Sequence, residues 1–359
     1  MGQGGADRVS AILLNNFPRE RFEMGLLIMR NEGEHLSGLS SDVKVICANA
    51  ANLWVFLPGI LNAIREFQPD VVLSTDGGAN VPLSILAAIN PFRKWRAVVS
   101  ERNVVFPPGK NVLKRAILVL AKSVFYRFAD RITAVSEGVR TDMTKWLWLR
   151  PGAITIVYNP VVDGQLLQSK EEKVGHPWFD PQRDIPVIVH AGRFVFQKDH
   201  VTLIDAFANL HVSTKARLFL LGDGPLKPMI QERVQHLGLS EYVEFAGFDL
   251  NPYKYFSRCD VFVLSSRHEG MPGVLIQAMA CGAPAVSTDC PYGPSEIISK
   301  PGTDGLLVTV GNPKELARAI ESLLQNNDMR LRIAHAGVQA VRKFHLAEAL
   351  ETYLKAVQW

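Results

Sequence analysis

The sequence predicts an α/β protein made of two doubly wound domains, each with a parallel sheet. Strand-type apolar runs alternate with helix-type segments along the chain, which argues against a sandwich or a bundle. A polar tract at 163–184, carrying Pro177 and Pro181, interrupts that alternation near the middle and is read as the interdomain linker. The length of 359 residues is enough for two domains of ordinary size.

Composition narrows the class. Hydrophobic residues make up 47% and charged residues 21%, as in a soluble globular protein. The four cysteines (Cys47, Cys259, Cys281 and Cys290) show no C-x-x-C spacing. Cys259 and Cys281 lie in or beside apolar runs and read as core thiols, a pattern that suits a reducing cytoplasm. The nine histidines form no metal-ligand spacing, so no metal is expected. The start, GQGGADR, has no basic region followed by an apolar core, so no signal peptide is expected. No window approaches 18 uncharged apolar residues, so no transmembrane span is expected. The net charge of +4 lies wholly in residues 1–180, with 21 basic and 17 acidic residues against 18 of each in 181–359. Within that half, residues 91–150 hold 13 basic and 4 acidic side chains.

In the first domain, Gly2, Gly4 and Gly5 precede an amphipathic helix running from Ala6 to Leu14. A doubly wound sheet normally has a strand before such a turn, near its centre, and no strand-type run precedes this one. Residues 22–30 and 43–47 read as strands, 57–67 as a helix and 71–74 as a strand. Residues 75–80, with Asp76, form a loop at a strand's C-terminal end, where α/β folds place ligands. The strand 95–100 ends in Glu101, Arg102 and Asn103, a polar tip read either as a site or as a solvated loop. Residues 112–131 read as one long helix, with Lys114, Arg115, Lys122 and Arg127 interrupting its apolar face too often for a membrane span. The strand 132–135, a helix capped by Ser136, and the strand 154–158 complete the domain.

The second domain opens with the strand 187–191. Gly192 then allows close backbone approach, and Arg193 and Lys198 can neutralise a diphosphate. A helix over 201–210 and the strand 217–221 follow, then the turn Gly222-Asp223-Gly224-Pro225. The strand 243–245 leads to Gly247 and Phe248, and Asn251-Pro252-Tyr253 starts a helix. Residues 260–264 are a buried-strand run, followed by the polar turn 265–268 and by Glu269-Gly270-Met271-Pro272-Gly273. Pro272 suits a helix start, and Val274, Leu275, Ala278 and Met279 share one face of a helix over 274–281. Gly282 and Pro284 stop it. The loop and helix N-terminus collect free N–H groups and partial positive charge, a ready anion site with Glu269 at its mouth.

This stretch resembles the donor-sugar signature of retaining family 4 glycosyltransferases, E-G-x-P-x-x-x-x-E-A-x-A-x-G. Glu269, Gly270, Pro272, Ala278, Ala280 and Gly282 are in register, and the chain departs at the second acidic position, which is Gln277. Gly192, Arg193 and Lys198 resemble the family's G-R-L-x-x-x-K element, Gly222 and Gly224 its G-x-G-P turn, and residues 4–9 its G-G-A-E-R-V loop. The resemblance covers nearly the whole chain and is closest in the second half. It implies the GT-B fold: two Rossmann-like domains with a donor cleft between them. The expected division is an acceptor-side domain at 1–172 and a nucleotide-sugar domain at 173–343. Residues 344–359 form a terminal helix returning to the first domain.

The resemblance also implies roles. Glu269, Arg193 and Lys198 are the expected catalytic residues. Gly4, Gly5, Gly192, Gly222, Gly224, Phe248, His268, Gly270, Met271, Pro272, Gly273, Val274 and Gln277 are expected to line the donor site. Asp76, Glu101, Arg102 and Asn103 are expected on the acceptor side. The implied reaction moves a sugar from a nucleotide diphosphate, with UDP expected, to a glycan or lipid-linked acceptor with retention at the anomeric carbon. No cofactor is implied, since Arg and Lys supply the cations. The basic stretch 91–150 contains Trp95, Phe106, Trp146 and Trp148. It suits either an anionic membrane surface at the inner face of the plasma membrane or a solvated basic helix with a core Trp pair. No nucleic-acid module is present. A nucleotide-sugar epimerase of the same fold and a non-catalytic nucleotide-sugar binder are the alternatives.

Overall fold

The computed structural model describes residues 5–30, 36–50, 53–106 and 111–358. In chain order the elements of the first half are α1 (Gly5–Asn16), β1 (Gly25–Ile28), β2 (Lys44–Cys47), α2 (Leu53–Phe67), β3 (Val71–Ser74), α3 (Gly77–Ile89), β4 (Arg96–Glu101), α4 (Val112–Phe125), β5 (Arg131–Ala134), α5 (Glu137–Leu147) and β6 (Ile154–Ile156). The second half contains α6 (Gly164–Ser169), β7 (Val187–Ala191), α7 (His200–His211), β8 (Arg217–Leu221), α8 (Lys227–His236), β9 (Val243–Gly247), α9 (Tyr253–Phe256) and β10 (Val261–Leu264). It ends with α10 (Gly273–Ala280), β11 (Ala285–Thr288), α11 (Pro294–Ile297), β12 (Leu306–Val308), α12 (Pro313–Gln325), α13 (Asn327–Ala340) and α14 (Leu346–Val357). The chain divides into two compact units, Met1–Pro160 with Leu346–Trp359, and Val161–His345. Both are Rossmann-like α/β layers with parallel sheets.

In the first unit β3, β4, β5 and β6 form a four-stranded parallel sheet, and β1 pairs with β2 separately. Among the described residues these two sheets share no strand pairing. Burial reflects the split: residues 97–99 of β4 are fully buried, whereas the Val-Val-Leu of β3 is only half-buried. α14 belongs to this unit. Its Tyr353, Ala356 and Val357 pack against Val9, Leu13, Phe17 and Val157.

Three local expectations change. Residues 75–80 are not all loop: Asp76 is the N-cap of α3, accepting from Gly78 N at 2.9 Å, so the helix begins at Gly77. The segment 112–131 is not one helix. It breaks after Phe125 into a 3₁₀ turn at Tyr126–Phe128 and joins the sheet at Arg131. Asp130 causes this, since its N–H donates to Ala97 O at 2.9 Å and its Oδ2 accepts from Ala97 N at 2.7 Å, which draws the chain into register with β4. The polar tract 163–184 is part of the second unit. Its polar residues serve as caps: Asp163 starts α6, and His176 Nδ1 accepts from Trp178 N. Phe179 anchors the tract against Phe219 at a centroid distance of 5.0 Å.

The second unit has one six-stranded parallel sheet in the order β12-β11-β10-β7-β8-β9. β7, β10 and β11 are buried at every position, as expected for strands covered on both faces. The core runs from Ile188, Leu218 and Val263 to Leu203 and Phe207 on α7 and Leu316 and Ile320 on α12. The strand order reverses between β7 and β10, so two loops diverge from adjacent strand ends and leave a crevice there.

Candidate active site

The two loops that diverge at the reversal are 192–198, after β7, and 265–272, after β10. Strand adjacency brings them together, and side chains fasten them. Lys198 Nζ lies 2.6 Å from Glu269 Oε1, a pair joining positions 71 residues apart. Ser266 Oγ donates to the same oxygen at 2.6 Å, and Gln197 Nε2 donates to Glu269 Oε2 at 3.3 Å and to His268 O at 2.9 Å. Ser265 Oγ donates to Lys198 O at 2.8 Å, and Arg267 pairs with Asp199 at 2.9 Å. Glu269 is only 6% exposed, so its carboxylate is fixed rather than free to seek solvent.

Glycine geometry sets the neighbouring backbone. Gly222 has φ +126°, and a Cβ there would lie 2.2 Å from Gly192 O. A Cβ on Gly224 would come within 2.8 Å of Phe194 N and O. The turn after β8 therefore presses directly on the loop after β7, and Gly222 N donates to Gly247 O at 2.7 Å, adding the end of β9. On the other side, Glu269 N donates to Pro291 O at 2.7 Å and Tyr292 N to Glu269 O at 3.0 Å.

Among the expected site residues, Lys198, His268, Glu269, Gly270, Met271, Pro272, Gly273, Val274 and Gln277 are brought together by this loop pair and α10. Pro272 is the N-cap of α10 rather than a first-turn residue, and it provides no side-chain cap. The first N–H groups of α10, from Gly273 and Val274, therefore have no partner within the helix. Gln277 is half-buried one turn further along. His268 is buried, which holds its imidazole below its usual range; Glu269 opposes this and Lys198 adds to it. His268 is thus neutral near pH 7 and can exchange hydrogen bonds with hydroxyls. Arg193 is exposed beside Gly192, and Phe248 is exposed after β9. His190, beneath Gly192, donates from Nδ1 to Val263 O at 2.9 Å, and burial pushes it down to about 4.

The first-unit candidates behave differently. Gly4 lies outside the described residues, and Gly5 is the first residue of α1. Asp76 is occupied as a helix cap. Glu101 is neither a solvated tip nor an open ligand group. It is 3% exposed, with Oε2 at 2.6 Å from Lys122 Nζ and accepting from Tyr126 OH at 2.9 Å. Burial and then the Glu101 carboxylate push the Tyr126 phenol well above its usual range. Arg102 donates to Tyr353 OH at 3.1 Å, and Asn103 is exposed. The residues that sequence reasoning missed are those that hold others in place. They are Gln197 and Ser266 around Glu269, and Lys122 and Tyr126 around Glu101. Ser266, three residues before Glu269, carried a local signal; Lys122 and Tyr126 carried none.

Two family models match the chain: "Glycosyltransferase Family 4" over residues 3–164 and "Glycosyl transferases group 1" over residues 179–339. The lipopolysaccharide core biosynthesis glycosyltransferase LpsE of Rhizobium meliloti is 32% identical over 98% of this chain and 95% of its own length. The N-acetylgalactosamine-N,N'-diacetylbacillosaminyl-diphospho-undecaprenol 4-alpha-N-acetylgalactosaminyltransferase of Campylobacter jejuni is 29% identical over 92% of this chain and 89% of its own. The chain spans a smaller share, 60%, of the uncharacterized glycosyltransferase MJ1059 of Methanocaldococcus jannaschii, at 31% identity. Among solved structures, Anabaena Alr3699/HepE in complex with UDP and glucose shares the fold, with a TM-score of 0.79 at 20% identity over 98% of this chain and 95% of that one. The chain belongs to the two-domain glycosyltransferases, with a family 4 first half and a group 1 second half.

Proposed function

We propose that the protein transfers a hexosyl or N-acetylhexosaminyl group from a UDP-sugar to a glycan or lipid-linked acceptor, with retention at the anomeric carbon. The observation that carries this reading is the buried Lys198–Glu269 pair at the strand-order reversal, beside the uncapped N-terminus of α10. Charge builds on the departing diphosphate in the transition state. Arg193, Lys198 and the first N–H groups of α10 stabilise it there more than in the bound donor. Glu269, held by Lys198, Ser266 and Gln197, accepts hydrogen bonds from donor-sugar hydroxyls and favours the positive sugar ring. Gln277 hydrogen-bonds the ribose hydroxyls where the family has a glutamate. The UDP complex of the HepE neighbour and the lipid-linked acceptor named for the Campylobacter relative support the choice of substrates.

A thermal-shift panel with UDP, GDP and ADP tests the donor. UDP should raise the midpoint by mass action, and GDP and ADP should not. Gln277→Glu should tighten UDP binding roughly 5–10-fold, since a charge-assisted hydrogen bond adds about 1 kcal/mol over a neutral one. No shift with any nucleotide, or an unchanged UDP affinity in the variant, would remove the respective assignment.

Protein cations replace a metal in this reading. Turnover should therefore persist in excess chelator, and its loss there with recovery on adding a divalent ion would count against the scheme. The acceptor is placed at an anionic membrane surface, which the basic stretch 91–150 meets electrostatically.

A further inference from the structure

The sheet of the second unit forks between β7 and β10. These strands pair only at Ile188–Val261 and Val189–Phe262. Beyond that rung each keeps to its other neighbour: β7 follows β8 as far as Ala191–Leu221, and β10 follows β11 as far as Leu264–Ser287. From His190 and Val263 onward the two strands diverge, and the crevice between the loops 192–198 and 265–272 starts there. A carbonyl at such a fork loses its ladder partner, and burial without another one is costly. His190 supplies the partner. Its Nδ1–H donates to Val263 O at 2.9 Å, so a side chain spans the gap where backbone pairing has ended.

The same imidazole underlies the loop after β7. His190 is fully buried, and a Cβ on Gly192 would stand 3.2 Å from its Nε2 and 3.3 Å from Lys198 Cγ. The ring and the Lys198 stem therefore meet at the Gly192 backbone. His200, the first residue of α7, sets its ring nearly perpendicular to His190 at 4.7 Å and stacks on Phe194 at 4.0 Å. Phe194 is held by the turn after β8: its N–H donates to Asp223 O at 2.9 Å, and its carbonyl accepts from Leu226 N at 3.0 Å. A line of rings thus runs from that turn to β10, beneath residues 192–198. Nε2 of His190 is buried and meets no hydrogen-bond partner in the protein. Phenylalanine would fill the same volume without an orphan nitrogen. What histidine adds is one N–H on a ring, aimed at Val263.

We propose that His190 is a positioning residue for the donor diphosphate: its bond to Val263 fixes the opening of the fork, and so sets where Gly192 and Lys198 meet the phosphates. His190 acts through the loop, since the Gly192 backbone and the Lys198 stem lie over it. Lys198 and Glu269 stand on opposite branches of the fork at 2.6 Å, so a change in its opening moves the cation relative to the carboxylate. Displacements of about 1 Å in such a site have large effects. This inference rests on the donor reading of the same loops and adds the group that sets their separation.

The test is calorimetric titration of UDP and UMP into the whole protein. UMP lacks the second phosphate, so the preference for UDP over UMP isolates what the loop contributes. The wild type should prefer UDP. His190→Leu should lose about ten-fold of that preference, with UMP affinity within about two-fold of the wild type, because a charge-assisted contact is misplaced while the rest of the nucleotide site stands. His190→Asn is close to leucine in size but keeps an N–H near the place of Nδ1, and should retain most of the preference. His190→Phe, which keeps the ring volume and lacks the donor, should behave as the leucine variant does and serves if that one does not fold. An unchanged preference in the variants without the donor would overturn the proposal. A matched fall in UDP and UMP affinity would overturn it too, by making His190 a general support of the fold. Equal loss in the asparagine and leucine variants would exclude the bond to Val263 as the cause. If the wild type binds neither nucleotide, the donor reading fails and this inference with it.

Discussion

Glu269→Gln is expected to lower turnover about 10²–10³-fold, the scale seen when one preorganised electrostatic group is removed from a transition state. Glutamine preserves length and one acceptor oxygen, so Ser266 keeps its partner while the charge is removed, and the new NH2 group meets the Gln197 amide, which must turn to present its oxygen. Two consequences separate this role from a structural one. Lys198 loses the charge of its 2.6 Å partner and becomes more available to the diphosphate, so UDP affinity should hold or improve. The loss should therefore appear in kcat and not in the donor's binding constant. Steady-state kinetics beside a UDP titration measure both. Wild-type turnover in the variant would exclude Glu269 from the chemistry. A parallel collapse of UDP affinity and thermal midpoint would reassign it as scaffolding.

Lys122→Met should destabilise the first unit by about 3–5 kcal/mol, because it leaves the Glu101 carboxylate buried without its cation. At roughly 2–4 °C per kcal/mol for a unit of this size, the midpoint falls by about 10 °C. The loss measures an abandoned charge and not the worth of the pair. Glu101→Leu with Lys122→Met should recover most of it, and adding Tyr126→Phe should recover more by removing a buried hydroxyl left without an acceptor. Thermal or denaturant melts of the single, double and triple variants decide the matter. If the double variant is no more stable than the single one, the cost lies in lost packing by the lysine stem.

The second unit was legible because its information is local. From Glu269 to Gly282 the residues that make the loop, the helix start and the stop are contiguous, and glycine and proline act on the backbone where they stand. Gly192, Arg193 and Lys198 were legible for the same reason, as one loop after one strand. The partnership of Lys198 with Glu269 was not. It depends on β7 lying beside β10, a consequence of sheet order that no short window contains. Gln197 and Ser266 became visible only once those loops met.

The first unit shows the opposite balance. A polar tip at 101–103 was read from composition alone, and burial reversed the meaning of Glu101. The basic residues of 112–131 looked like interruptions of an apolar face, although Lys122 is the buried one and the leucines are outside. Periodicity locates two stripes on a helix but does not say which of them faces inward. A lone carboxylate at the end of β4 decided that. Burying it required a cation within about 3 Å, so the lysine turned inward and the apolar stripe was left facing out. By itself the sequence determined the fold class, the family and the backbone course of the loops after β7 and β10, because those follow from contiguous residues. The tertiary structure alone decided which charges pair and which face of α4 is exposed, because those depend on what long-range packing places beside each side chain.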